Sequence, residues 1–398
     1  MGQTSTATHP GQFTITPRMK TAYSVFMFVG LMGFALLLIN DQKRAWLSFL
    51  VPFFYFTSLA LGGLFFASIQ HMTKAGWSVN VRRIPEAFTS FLPLAAISGL
   101  ILLIGSGKLY KWMDAAYVAA DPIVSGKTGY LNFTFFVIRL VLFFAGWLYF
   151  SKVIIGRSLE QDKTGDVNLT HKQVGTSISF VLFFALSYSF FSVDLLMSLE
   201  PHWFSTIYGV YAFAGLFQST LAFTILFILY MRKHGLLGGF VTEDHLHDLG
   251  KFLFAFTVFW AYIAYSQYML IWYANLPEET GFIITRSENV WLWVSGLLIL
   301  GKFIVPFIAL LPRWAKRTPA HLGAVSVLIL VMQYVDLYWL AYPNFYKEEI
   351  KFPLAEIAVF LGFLGVFLMC VTKFLSRNNI VPVKDPRIGE SMHHHVVY

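Results

Sequence analysis

Ten apolar runs, each near the roughly 20 residues a helix needs to cross a bilayer, leave this chain few folding options. They fall at 21–40, 45–70, 88–106, 130–152, 174–199, 207–231, 250–274, 290–312, 321–342 and 354–375. In lipid each spanning segment must satisfy its own backbone polar groups, and continuous runs of this length do so as helices rather than as strands of a barrel. Only 13% of residues are charged, about half the share in ordinary soluble domains, and the connections are mostly short. The expected fold is therefore an all-α integral membrane protein with ten transmembrane helices and no sizeable soluble domain.

Ten spans put both termini on one side. Assigning that side to the cytoplasm places nineteen of the 29 Lys and Arg residues inside and eight outside, as the positive-inside rule requires. The net charge of +8 follows from this topology and implies no nucleic-acid surface. The first 20 residues are polar, without the apolar core of a cleavable signal, so the first span is expected to remain as an anchor.

Cysteine usage excludes whole classes of chemistry. The one cysteine, Cys370, rules out internal disulfides, CxxCH haem attachment and cysteine-ligated iron–sulfur clusters. All eleven histidines lie at helix ends or in loops, which leaves no facing pair at depth for a membrane haem. The glycine-rich Gly235–Gly239 stretch lacks the Lys-Ser/Thr ending of a P-loop. No redox cofactor is expected in this chain.

Four ionisable residues sit well inside apolar runs: Arg139, Asp194, Lys302 and Asp336. Each costs about 2.5 to 3.5 kcal/mol at a helix centre on the insertion scale, so none should face lipid. The surroundings of the two aspartates match. Val193-Asp194-Leu195 and Val335-Asp336-Leu337 lie 142 residues apart, and each aspartate is followed seven residues later by proline (Pro201, Pro343). That offset spans four helices, so helices 2–5 (45–200) and 6–9 (205–345) read as two parallel copies of a four-helix bundle. Helix 1 (21–40) and helix 10 (354–375) are then peripheral, with cytoplasmic tails at 1–20 and 376–398. In each copy the third helix brings a base (Arg139, Lys302) and the fourth an acid (Asp194, Asp336), at similar depth. Asn132, Ser187, Ser198, Ser295 and Gln333 share their faces at helical spacing.

Two readings stand open for these groups. They are static ion pairs holding bundles together, or they belong to a proton or ion path, with Glu200 and His202 at the outer mouth exchanging protons with water. On helix 7, Tyr262 and Tyr265, with Trp260, Ser266, Tyr268 and Trp272, form either a packing seam or a hydroxyl line able to hold water. His71, Arg82, Arg83 and Glu86 read as a basic cytoplasmic loop or as a docking or proton-entry surface. An ion-coupled secondary transporter would share the repeats and buried charges, but Pro52 and Pro306 are not in equivalent helices as broken-helix transporters would have them.

The stretches "SLEPHWFSTIYGVYAFAG" (198–215) and "DLGKFLFAFTVFWAYIAYSQYMLIWYANLPEE" (248–279) resemble the ActF-type membrane subunit of bacterial alternative complex III, a quinol:cytochrome c oxidoreductase. The resemblance covers essentially the whole chain and extends to the NrfD-like membrane subunit of polysulfide reductase. It implies a cofactor-free, multi-pass subunit of the bacterial inner membrane, surrounded by lipid in a multi-subunit respiratory complex. Partner subunits would carry haem c and iron–sulfur clusters, and a homologous ten-helix subunit would oxidise quinol. The role implied for this chain is a proton path and energy coupling, with a structural scaffold as the alternative. A quinone in this chain itself is disfavoured, since no helix-embedded histidine can take a quinol proton; Asp194, His202 and Asp336 are the groups that could.

Overall fold

The structure is a computed structural model and describes residues 10–351 and 354–395; the outermost residues of both expected tails lie outside them. All regular structure among the described residues is helical. Ten helices are long and apolar enough to span a membrane: α1 (Pro17–Asn40), α2 (Gln42–Met72), α3 (Val79–Leu109), α4 (Phe133–Thr164), α5 (Val167–Leu199), α6 (Tyr208–Lys233), α7 (Glu243–Ala274), α8 (Asn289–Leu310), α9 (Pro319–Asn344) and α10 (Leu354–Arg377). The chain is a multi-pass membrane protein.

Several helices overrun their apolar runs. α4 continues to Thr164, where Gly165 turns the backbone at a φ of 72° and Asp166 caps α5 by accepting from the Asn168 amide. α7 starts at Glu243, with Thr242 and His245 satisfying each other's end of the first turn. Hydropathy marks only the part of a helix that meets lipid, whereas capping decides where it stops.

α2 and α6 form the centre, with 94% and 83% of their most apolar windows buried. α2 packs on α3 and α5, and α4 on α5; α6 packs on α7 and α9, and α8 on α9. α5 and α6 join the two groups, and α2 also touches α6 and α9. On the flank, α1 crosses α10 through glycines: a Cβ on Gly30 would stand 2.3 Å from the Gly362 Cα. Small residues let two backbones approach closely where lipid supplies no hydrophobic drive.

One expectation needs correction. His71, Arg82, Arg83 and Glu86 do not lie in a surface loop, because α3 begins at Val79 and all four side chains are buried. The tail after α10 folds back on the same end of the bundle, burying Ile380, Val381, Asp385 and Ser391. Asp385 reaches Arg82 at 2.8 Å, and the Ser391 hydroxyl donates to the Trp77 carbonyl at 2.7 Å.

Candidate functional site

Both intramembrane bases meet the acid of the neighbouring helix. Arg139 on α4 grips Asp194 on α5 with two bonds, Nε to Oδ2 at 2.8 Å and Nη2 to Oδ1 at 3.0 Å. The Tyr130 hydroxyl donates to Asp194 Oδ1 at 2.9 Å, while Arg139 Nη1 donates to the Tyr130 carbonyl at 3.0 Å. The guanidinium also lies over the Tyr130 ring, 3.9 Å from its centre. Tyr130 comes from the loop before α4, where burial and then the Asp194 charge push its hydroxyl above the ordinary range. That keeps it a donor.

The second pair is more deeply enclosed. Lys302 on α8 is fully buried and donates to Asp336 Oδ2 at 2.5 Å and to Gln333 Oε1 at 2.6 Å, both on α9. The other face of the ammonium lies 4.4 Å from the centre of the Trp260 ring, whose Nε1 donates to Asp336 Oδ2 at 3.2 Å. The Tyr211 hydroxyl of α6 donates to Asp336 Oδ1. A Cβ on Gly215 would stand 2.6 Å from Gln333 Oε1, so glycine is what lets α6 come this close.

The helix carrying Lys302 is locally widened, with a π-helical turn over Ile299–Ile304. Pro306 explains it: four residues after Lys302, it has no N–H for the Lys302 carbonyl and its ring crowds that position. Such turns often mark functional places in helices.

Of the residues expected to share these faces, only Gln333 joins a pair. Asn132 caps α4 by accepting from the Phe135 amide at 2.8 Å. Ser187 accepts from Trp147 Nε1 at 2.9 Å. Ser295 bridges the Arg286 carbonyl and Trp339 Nε1, both at 2.7 Å, and Ser198 bonds the Asp194 backbone rather than its carboxylate. Any hydroxyl line formed by Tyr262 and Tyr265 on α7 does not lie inside the bundle. Tyr262 and Tyr265 are 65% and 63% exposed on the outside of the bundle, and the buried face carries Trp260, Thr257 and Gln267.

Compared with known proteins, the chain matches no family model, and no curated protein is significantly similar to it.

Three further groups surround the pairs. Toward the terminal-bearing end, Gln218 lies about 10 Å beyond Tyr211 along α6 and donates to Thr257 Oγ1 at 3.0 Å. Its Oε1, like the Thr57 hydroxyl, has no partner among the described residues; buried orphan polar atoms of this kind normally take water. At that same end Arg82 and Arg83 share Glu86, at 3.0 and 2.7 Å, and Arg83 adds Asp162 at 2.7 Å.

At the opposite mouth His202 Nε2 lies 2.5 Å from Asp121, with Glu200 3.5 Å from both its Nδ1 and Lys111 Nζ. Nearby, Arg286 is buried with no carboxylate partner among the described residues. It donates to the carbonyls of Phe282, Trp339 and Leu340 and to Asn344 Oδ1, at 2.9 to 3.1 Å. Burial lowers the guanidinium to about 9, which leaves it protonated at neutral pH. It rests on the negative, carbonyl-rich end of α9, three to four residues beyond Asp336. Among the described residues no three His, Cys, Asp or Glu side chains gather as metal ligands.

Proposed function

We propose that this chain is the proton-conducting membrane subunit of a respiratory quinol:cytochrome c oxidoreductase of the ActF and NrfD-like kind. It sits in the bacterial inner membrane with both termini in the cytoplasm. Haem c and iron–sulfur clusters belong to partner subunits, and a homologous ten-helix subunit oxidises the quinol. The chain comprises two parallel four-helix units, a reading supported by the like pairing of α2 with α3 and α5 and of α6 with α7 and α9.

The observation that carries the proton reading is the Lys302–Asp336 pair. It holds a proton between two groups of which both can release one, on a π-widened helix and with three neutral partners fixing the geometry. A static clamp is better served by Arg, which stays charged. Gln218 and Thr257 extend the polar line toward the cytoplasmic network of Glu86, Arg83 and Asp162. Asp121, Glu200 and His202 offer exchangeable protons at the periplasmic mouth.

The test begins with mild-detergent purification through a tag on this chain. Haem c absorption reducible by quinol, together with iron–sulfur and sister membrane subunits, is the expected result; a colourless single protein overturns the assignment. In the complex, Asp336→Asn is expected to lower the proton-to-electron ratio while assembly persists. An unchanged ratio would leave the chain a scaffold.

A further inference from the structure

We propose that the groove between α4 and α5, at the end of the bundle that carries the termini, holds the phosphate headgroup of an anionic membrane phospholipid. The groove has a volume of about 490 Å³, with Arg157, Lys172 and Thr176 toward one end and Ser179, Tyr149 and Phe150 toward the other. Arg157 Nη1 donates to the Lys172 carbonyl at 3.1 Å and to Thr176 Oγ1 at 2.6 Å. That fixes the guanidinium across the cleft, with its remaining nitrogens available to an anion.

Arg82, Arg83, Lys251 and Arg317, at the same end of the bundle, each have an aspartate or glutamate. Among the described residues Arg157 and Lys172 have none. Cations without a carboxylate are not confined to this place, since among the described residues Lys74, Lys152 and Lys233 at the same end have none either, but Arg157 and Lys172 line one groove together. Two cations on an open groove match a phosphodiester, and basic pockets between helices on the cytoplasmic side commonly bind anionic lipid heads. A lipid fits better than a free phosphate because the groove runs into the apolar belt. Tyr149 lies eight residues, about 12 Å, up α4 from Arg157, and Ile178, Leu182 and Leu186 of α5 are exposed along the same course. The site is remote from the buried pairs: Arg139 is about 27 Å away along α4.

Glycine keeps the groove open. A Cβ on Gly175, which also lines it, would meet nothing within 4 Å, so a leucine there fills the groove without disturbing the helices.

The experiment is native mass spectrometry of the full chain, delipidated in mild detergent and titrated with dioleoylphosphatidylglycerol or dioleoylphosphatidylcholine. One phosphatidylglycerol is expected to bind in preference to phosphatidylcholine. Arg157→Gln with Lys172→Gln should weaken that binding about 30-fold, at roughly fivefold per cation, with phosphatidylcholine unaffected. Gly175→Leu should weaken it while keeping both charges, and it carries the test alone if the double variant misfolds. Unchanged phosphatidylglycerol binding in Gly175→Leu overturns the proposal. So does complete displacement of the lipid from the unsubstituted chain by inorganic phosphate, which would make this a free-anion site.

Discussion

Arg139–Asp194 and Lys302–Asp336 occupy matching places in the two halves of the chain, yet they are built for different work. Arg139 meets its carboxylate as a two-pronged fork, with Tyr130 closing one side. A guanidinium does not give up its proton in a protein, and its planar fork is a fixed fastening. Lys302 presents a point charge to Asp336 and Gln333 on a π-widened turn, with an aromatic face behind it. An ammonium can pass its proton to a buried partner. On the proton-path proposal, the difference gives holding to the first pair and transfer to the second.

The sharpest way to break this contrast is to exchange the bases. Lys302→Arg keeps the charge but removes the transferable proton. Coupled proton movement per turnover should fall by about 10²-fold or more, the scale of a lost acid–base group, in proteoliposomes of the intact complex. Arg139→Lys, by contrast, should leave coupling unchanged and cost about 1.5–3 kcal/mol, that of one charge-assisted bond. Equal loss of coupling in both variants would erase the distinction.

Removing a charge rather than exchanging it should hurt stability most. Lys302→Met leaves Asp336 buried without its cation, and breaking a buried pair in this way costs about 3–5 kcal/mol. The double variant Lys302→Met with Asp336→Leu should recover most of that loss, because two well-packed apolar groups replace two desolvated charges. Thermal unfolding in detergent measures both; a double variant no more stable than the single one would mean that the site depends on its polar partners as a unit.

The tyrosines sharpen the comparison further. Tyr211 is the one described partner of Asp336 Oδ1, whereas Asp194 Oδ1 keeps Arg139 when Tyr130 is lost. Tyr211→Phe should therefore cost about 1.5–3 kcal/mol. Tyr130→Phe should cost about 1 kcal/mol or less, since its acceptor stays bonded. The reverse order, read from the same unfolding assay, would mean that the Arg139 clamp relies on its tyrosine.

The four buried charges and their partition between helices were legible because a charge in an apolar run has so few places to go. Their partners were harder to read. Tyr211 is one of many aromatics in α6, and nothing in its spacing distinguishes it from packing. Tyr130 and Arg286 lie in connections, where polar residues need no explanation. Helical spacing correctly put Gln333 beside Asp336, but it failed for Ser187, Ser295 and Asn132, which found nearer backbone or indole partners. Arg82 and Arg83 looked like a solvated loop because their counterions, Asp162 and Asp385, are distant in sequence. Tyr262 and Tyr265 show the limit of composition: hydroxyls in an apolar helix can face outward, and only the buried Trp260 fixes which side of α7 turns in.

The mouth formed by Asp121, Glu200 and His202 should give the smallest effect, and its sign is informative. Some desolvation opposes ionisation of Asp121, but the Val124 amide and His202 outweigh it and hold the carboxyl below its usual value. The folded state thus favours the charged form, and its contribution is present at neutral pH and lost as pH falls through the folded-state value. In Asp121→Asn the acid-side decline of the unfolding temperature should be slightly shallower than in the unsubstituted chain. His202→Gln should weaken the same dependence, because His202 is one of the groups lowering the carboxyl. Neither change should alter the contrast between the two buried bases at neutral pH. If Asp121→Asn instead lowered coupled proton movement as far as Lys302→Arg, the rate-limiting transfer would lie at the mouth, and the lysine pair would be a relay behind it.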